Sequence, residues 1–295
     1  MSLRESWCLM VREMPHRVAV AAIAIPLAVG MVYLGGWVLV VGLALLGVFG
    51  TREFFALTAR GGVQALAFPG YAGAVLFPVT AYLLLQVGGG LNPIWALMGG
   101  MIWLIATMTY AVGFSSSSGK PALSIGVTFF GPCYTAGLLA FLLLIRHGVE
   151  GASPLVSTVL VFLPLVTTWL CDTFAMTGGS VFGGPKFAPM ISPHKTWSGA
   201  LSGLVGAGIV AVAYGLLILS EVGIVLRIWQ LLVIGLVVGV LGQIGDLAES
   251  LLKRSVGVKD SGDLLPGHGG VLDRLDSLYW VIPISTMCFY AFGVL

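Results

Sequence analysis

The stretch Ile228–Leu252 reads IWQLLVIGLVVGVLGQIGDLAESLL and holds no charged side chain before Asp246. An α-helix needs about 20 apolar residues to cross the hydrocarbon core of a bilayer, and this stretch has that length. A carboxylate near the end of such a helix is costly in lipid, so we expect it to face a cation or a wet cavity. The stretch therefore predicts a membrane span that carries an acidic side chain to a functional site.

The composition of the whole chain agrees with a membrane location. Of its 295 residues, 58% are hydrophobic and 9% are charged, and the mean hydropathy is +1.03. Soluble proteins carry about 25% charged residues, and a soluble exterior could not cover this much apolar surface. The net charge of +2 and the scattered basic residues argue against a nucleic-acid partner. The four cysteines lack the spacing of zinc or redox sites.

Charged residues and glycine-rich breaks divide the sequence into segments of spanning length. Gly35 and Gly36 separate the first two segments, and a glycine-rich run ending at Pro93 separates the next two. We predict an all-α, polytopic integral membrane protein with about nine transmembrane helices. The predicted helices are Val18–Leu34, Trp37–Phe49 (or as far as Ala59), Leu66–Val87, Ile94–Phe114, Ser124–Ile145, Pro154–Leu170, Trp197–Leu219, Ile228–Leu252 and Leu278–Leu295.

The basic residues orient these helices. With nine helices, 12 of the 14 Lys and Arg residues lie on one side, and only Arg146 and Arg227 lie on the other. Fusing the first two helices would change this distribution to 9 against 5. The positive-inside rule favours nine helices and makes the basic side cytoplasmic. We therefore expect a multi-pass protein of the cell inner (cytoplasmic) membrane.

Charge concentrates in two regions of the C-terminal half, both predicted on the cytoplasmic side. Loop A runs from Asp172 to Lys195, and loop B with its flanks runs from Asp246 to Asp276. Together these regions hold seven of the twelve acids. In so apolar a chain, ionisable residues beside membrane spans indicate a functional site.

The acids that flank loop B have the spacing of a metal site. Asp246, Glu249 and Lys253 share one face of a helix, and Asp273 and Asp276 project together from the start of the last helix. An antiparallel helix hairpin can bring Asp246 and Asp273 to one point, where their oxygens and those of a phosphate would suit Mg²⁺. Two alternatives stay open: an Asp–Lys structural pair, and carboxylates that only offset a helix dipole.

Loop B itself combines basic side chains with glycines. Basic side chains neutralise phosphates, and the N–H groups of glycine-rich turns can cradle them. An ordinary surface loop rarely combines these features, so the sequence predicts a phosphate-binding loop. Its characteristic residues are Lys253, Arg254, Lys259, Asp260, His268, Gly269 and Gly270.

Ser250 through Asp276 reads SLLKRSVGVKDSGDLLPGHGGVLDRLD, and over these 27 residues it resembles the signature of the phosphatidate cytidylyltransferases (CDP-diacylglycerol synthases) without a departure. Loop A and the residues after it, as far as Trp197, resemble a second conserved block of that family. Met176 stands where Tyr is usual, and Ser198 where Glu or Gln is common. Neither departure removes a metal or phosphate group, so both concern substrate detail rather than reaction class.

The resemblance implies an enzyme that joins CTP to phosphatidate in the bilayer, giving CDP-diacylglycerol and pyrophosphate, with Mg²⁺ as cofactor in one or two ions. It implies that residues 1–150 are framing transmembrane helices and that residues 151–295 are a catalytic region with two cytoplasmic active-site loops.

The same resemblance implies residue roles. Asp246, Lys253 and Asp273 would be catalytic. The metal ligands would be Asp246 and Asp273, with Asp276 or Asp172 as further ligands. The substrate-binding set would be Ser192, Lys195, Thr196, Arg254, Lys259, Asp260, His268, Gly269, Gly270 and Arg274.

Three other functions stay open. A CDP-archaeol synthase would use an ether lipid with the same headgroup chemistry, and a CTP-dependent lipid kinase would release CDP. A transporter would carry ionisable groups at mid-membrane and show internal repeats, and neither is evident. Glycine patterns at 199–208 and 235–245 resemble seams of small residues that let transmembrane helices approach closely, and they lead us to expect a homodimer.

Overall fold

The computed structural model describes residues 24–86, 94–114, 120–262 and 269–295, together with Ala22. In those ranges the regular elements are helices, with no β-strand longer than an isolated bridge. The all-α prediction is confirmed. The helices are α1 (Ala24–Leu34), α2 (Gly36–Arg60), α3 (Ala67–Gln86), α4 (Ile94–Phe114), α5 (Pro121–His147), α6 (Pro154–Phe182), α7 (Trp197–Val222), α8 (Ile228–Ser255), α9 (Leu272–Leu275) and α10 (Leu278–Ala291).

Seven of the described helices, α2 to α8, are long and apolar enough to cross a membrane. The prediction of a polytopic membrane protein is therefore confirmed. The count of nine stays a prediction, because α1 is shorter and α10 has only 14 residues. The predicted start of the first helix, at Val18, lies outside the described residues.

The break between α1 and α2 falls at the predicted glycine. Gly35 has a φ of 61°, which glycine adopts without steric cost. Arg146, buried in the last turn of α5, donates to the carbonyl oxygens of Val32 (2.6 Å) and Tyr33 (2.8 Å). The Nε2 atom of His147 accepts the first N–H of α2 at 3.1 Å. These contacts satisfy backbone groups that would otherwise be left unpaired at two helix ends.

Helix α6 continues to Phe182, well past its predicted end. Asp172 therefore lies on a helix, and the prediction that loop A begins there is wrong. Polar side chains in this stretch do not end the helix, because they bond to its own carbonyls. The Thr177 hydroxyl, for example, donates to the carbonyl oxygen of Thr173 at 2.8 Å. The helix ends instead at Phe182, because the next residue, Gly183, has a φ of 60° and caps it.

Glycines allow α6, α7 and α8 to pack closely within one chain. A Cβ atom added at Gly199 of α7 would lie 2.7 Å from the carbonyl oxygen of Ala175 on α6. One added at Gly235 of α8 would lie 2.6 Å from the carbonyl oxygen of Ala207 on α7. The predicted small-residue seams thus pack inside the chain, and they no longer support a homodimer. Their packing brings the C-terminal ends of α6 and α8 close to the N-terminal end of α7.

The substitution Gly235→Ala is expected to destabilise the fold by about 1–3 kcal/mol, because its Cβ atom would overlap the Ala207 backbone. Helix propensity alone would favour alanine by about 1 kcal/mol. The control is Gly208→Ala, whose new Cβ would meet Leu232 and Leu236 at ordinary distances of 3.7 and 3.9 Å. Thermal unfolding in detergent measures both variants, and an equal Tm for the two would contradict the packing account.

Candidate active site

An ion pair joins loop A to the helix that leads into loop B. The Lys195 Nζ atom lies 2.6 Å from Oδ2 of Asp246, and both side chains are partly exposed. Asp246 therefore has the cationic neighbour that its place in an apolar helix led us to expect. The pair brings together two predicted site residues that are 51 positions apart in the chain (246 minus 195).

Loop A, which the structure confines to the residues between α6 and α7, folds back on itself. Lys186 and Thr196 form an antiparallel bridge. The Thr196 hydroxyl accepts the N–H of Gly199 at 3.1 Å and caps the N-terminus of α7. Thr196 is buried, so its hydroxyl caps the helix rather than facing solvent. This cap fixes the backbone position of the adjacent Lys195. Ser192 lies half-buried in the same loop.

Arg254, at the end of α8, connects the two loops. Its Nε atom donates to the carbonyl oxygen of Ile191 in loop A at 3.4 Å, and its Nη1 atom donates to that of Val258 in loop B at 2.9 Å. The guanidinium is exposed and has five N–H donors, so the N–H groups that these two bonds do not use stay available for an anion.

Lys253 forms the buried centre of the site. Its Nζ atom lies 3.0 Å from Oε1 of Glu249, one turn earlier on α8, and 2.5 Å from Oδ1 of Asp273 on α9. Glu249 is fully buried, and its second oxygen has no hydrogen-bond partner within the described part of the chain. Lys253 and Asp273 thus tie α8 to α9. The meeting of Asp246 with Asp273 at one point stays a prediction.

Asp273 also organises the ends of loop B. Its Oδ2 atom accepts the N–H groups of Ser261 (2.8 Å) and Gly270 (2.9 Å) and lies 2.9 Å from the Ser261 hydroxyl. Burial alone would raise the pKa of Asp273. The Lys253 ammonium and the two N–H groups outweigh burial, so the pKa lies below its usual value. The Asp273 carboxylate is therefore ionised and fully engaged by donors of the protein.

Three further acids lie within electrostatic reach of one another. The pKa of Asp276 is raised to about 7, chiefly by burial, then by the charge of Asp246 and, to a smaller extent, by that of Asp172. The N–H of Ser277, 2.6 Å from Oδ1 of Asp276, and the charge of Lys253 act in the opposite direction. Carboxylates that repel one another in this way would be stabilised by a bound cation.

The acids fit a metal that is shared with a substrate rather than one enclosed by the protein. No group of three or more Asp, Glu, His or Cys side chains with metal-site geometry occurs among the described residues. Mg²⁺ is commonly held by one or two carboxylates, with phosphates and waters as its other ligands. One or two of Asp172, Asp246 and Asp276 would supply the carboxylates of such a site. Asp273 would join them only by exchanging a hydrogen bond, such as the one from Lys253.

The remaining predicted site residues that the structure describes lie in loop B and on α9. Lys259 and Asp260 are exposed in the described part of loop B, and Arg274 is exposed on α9. Gly269 has a φ of 77°, and Gly270 is buried beside Asp273. His268 lies outside the described residues.

Sequence reasoning missed one buried acid of this site, Glu53 of α2. Its Oε1 atom accepts the N–H of Val271 at 2.9 Å, and its Oε2 atom accepts that of Leu272 at 2.8 Å and lies 3.0 Å from the Ser261 hydroxyl. A signal was available, because Glu53 is the only acid between residues 13 and 150. A lone acid in an apolar helix is expected to have specific partners.

The fold and the site define a polytopic membrane protein with a charged site where two loops meet. The model of the cytidylyltransferase family matches residues 15–292. The chain belongs to this family and is therefore a nucleotidyltransferase. The resemblance drawn from the two motif blocks is confirmed.

Individual relatives extend the similarity over most of the chain. A phosphatidate cytidylyltransferase of Brucella abortus is 38% identical over 260 residues, which cover 88% of this chain and 87% of the relative. Phosphatidate cytidylyltransferase 4, chloroplastic, of Arabidopsis thaliana is 33% identical over 283 residues, covering 86% and 68%. A phosphatidate cytidylyltransferase of Staphylococcus haemolyticus is 45% identical over 119 residues, covering 40% and 44%.

The substitution Lys253→Met is expected to destabilise the protein by about 3–5 kcal/mol, because it leaves the buried carboxylates of Glu249 and Asp273 without their cation. Lys259→Met, at an exposed position, is the control and should change stability by less than about 0.5 kcal/mol. Unfolding in detergent, followed by circular dichroism, measures both. Equal stability of the two variants would show that the Lys253 ion pairs do not hold the site.

Proposed function

We propose that this chain transfers the cytidylyl group of CTP to phosphatidate, forming CDP-diacylglycerol and pyrophosphate. The names of the relatives support these substrates. The observation that carries the proposal is the 2.6 Å contact between Lys195 and Asp246, because it joins one family motif block to the helix that leads into the other. Catalysis there requires the positioning of two phosphate-bearing substrates and the neutralisation of their charge.

The chemistry is one displacement at phosphorus. A phosphate oxygen of phosphatidate forms a bond to the α-phosphorus of CTP, and the bond from that phosphorus to the oxygen that bridges to the β-phosphorus breaks. Pyrophosphate leaves with the electron pair. The nucleophile is already anionic, so no strong general base is needed.

The protein supplies positive charge from three directions. Lys195 comes from loop A, Lys253 from the buried centre, and Arg254 from between the loops. We assign the phosphates of CTP and lipid to these cations together with Lys259 and Arg274. The substrate-binding set is completed by Ser192, Thr196, Asp260, His268, Gly269 and Gly270, with Thr196 acting through the placement of loop A.

We assign the metal ligands to Asp246 and Asp273, with Asp276 and Asp172 as further ligands for one or two ions. Bound Mg²⁺ would neutralise the CTP phosphates and stabilise the leaving pyrophosphate. Asp246 is the acid best placed for this task, because it is partly exposed and has acidic neighbours.

We place the protein in the cell inner membrane with the site facing the cytoplasm, where CTP is available. The acyl tails would stay in lipid while the headgroup reaches the loops. Residues 151–295 form the catalytic region of this proposal, and residues 1–150 frame it. A homodimer is not part of the proposal, because the glycine seams that led to its prediction pack inside the chain.

Pyrophosphate release by purified protein in detergent, with CTP, phosphatidate and Mg²⁺, tests the proposal. Asp246→Asn and Asp273→Asn are each expected to lower kcat by about 100- to 1,000-fold, because each removes a carboxylate that we assign as a Mg²⁺ ligand. Glu221→Gln, at an exposed acid in the last turn of α7, is the control and should match wild type. Circular dichroism establishes that each variant is folded.

The products separate the remaining candidates. Pyrophosphate release that requires both CTP and phosphatidate supports the proposal. Release only with an archaetidic-type ether lipid would identify a CDP-archaeol synthase, and CDP without pyrophosphate would identify a lipid kinase. Folded wild-type protein that turns over none of these lipids would contradict the proposal and return the transporter to consideration.

A further inference from the structure

Glu53 reaches the catalytic region from the N-terminal half of the chain. It lies on α2, is 7% exposed, and contacts residues more than 200 positions away. Its two oxygens accept the backbone N–H groups of Val271 and Leu272 and face the Ser261 hydroxyl, at distances between 2.8 and 3.0 Å. A carboxylate with three donors is a specific contact, because a buried acid without them would be strongly destabilising.

The partners of Glu53 allow no simple replacement. The two backbone N–H groups are donors, and the single hydroxyl proton of Ser261 is shared between Glu53 and Asp273. A carboxylate accepts at both of its oxygens. A glutamine would keep one acceptor, but its NH₂ group would face a backbone N–H or the Ser261 hydroxyl. The backbone of Gly262 and Gly270 also packs closely against the Glu53 carboxylate. A Cβ atom at Gly262 would lie 3.0 Å from Oε1, and one at Gly270 would overlap Oε2.

Ser261 connects Glu53 to the buried centre formed by Lys253 and its acidic partners. The Ser261 hydroxyl lies 3.0 Å from Oε2 of Glu53 and 2.9 Å from Oδ2 of Asp273. Asp273 in turn holds the Lys253 ammonium at 2.5 Å. Because Val271 precedes α9 and Ser261 lies on the far side of loop B, Glu53 holds both described ends of the loop at one place.

Helix α2 is itself fixed beside Glu53. The hydroxyls of Thr51 and Thr135 on α5 are fully buried and 2.7 Å apart, and Thr135 also donates to the carbonyl oxygen of Gly47 at 3.2 Å. A Cβ atom at Gly50 would lie 3.0 Å from the hydroxyl oxygen of Tyr279 on α10. Helices α5 and α10 therefore hold α2 in register, and Glu53 is a rigid support for the loop.

We propose that Glu53 is a positioning residue for nucleotidyl transfer. Its carboxylate anchors Ser261, Val271 and Leu272, and thereby fixes Asp273, which holds the Lys253 ammonium that we assign to the phosphates. The inference rests on the proposed function for its kinetic consequence. The anchoring of loop B by Glu53 is independent of which lipid is the substrate.

Glu53→Gln is expected to lower kcat by about 100-fold, because misplacement of catalytic groups by about 1 Å has effects of this size. Glu53→Asp keeps a shortened carboxylate and should recover part of that loss. The control is Glu150→Gln, the same chemical change at an exposed acid, with wild-type activity expected. The readout is pyrophosphate release by the full chain in detergent, with CTP, phosphatidate and Mg²⁺.

Hydrogen exchange at the backbone amides that Glu53 contacts distinguishes a positioning role from general unfolding, and it needs no turnover. In Glu53→Gln, the amides of Val271 and Leu272 should exchange about 10- to 100-fold faster, since each loses a charge-assisted hydrogen bond. Amides in α8 should keep their wild-type rates.

Three outcomes would overturn the inference: activity of Glu53→Gln within about twofold of wild type, no recovery in Glu53→Asp, or faster exchange throughout α8. Wild-type protein without turnover would instead remove the proposed function, while local exchange at Val271 and Leu272 would still decide the anchoring.

Discussion

The buried ammonium of Lys253 is the interaction on which the site depends. It lies between Glu249 and Asp273, at 3.0 and 2.5 Å, in a chain where most surroundings are apolar. Removing one partner of such a group leaves uncompensated charge in a low-dielectric interior. Because Glu249 and Lys253 lie on α8 and Asp273 lies on α9, their charges also fix how these helices meet. The geometry of loop B follows from that meeting point.

Two other parts of the chain join this centre, each through one charged residue. Loop A contributes Lys195, held 2.6 Å from Asp246 by the close packing of α7 on α8. Helix α2 contributes Glu53, whose oxygens accept the N–H groups that begin α9. The site is therefore assembled from three separate regions of sequence. Each contact sets a charged group against a defined partner, as expected where water is scarce.

Much of the fold could be predicted because bilayer thickness sets helix length and glycine marks the breaks, as at Gly35. The end of α6 could not, because hydroxyls such as that of Thr177 bond to their own helix and so make a polar stretch helical. The motif residues were identified in advance, but the pairing of Lys195 with Asp246 depends on helix packing. Glu53 was missed because 208 positions separate it from Ser261.

Central to the proposed function is that loop A, the buried centre and the acids of α8 bind one triphosphate together. An experimental structure of the protein in a lipid nanodisc with CTP and Mg²⁺ tests this. We expect phosphate density between Lys195, Lys253 and Asp246, with the ends of loop B still held by Glu53. A nucleotide bound away from these side chains, or a Lys195 that faces lipid while CTP is bound, would contradict it.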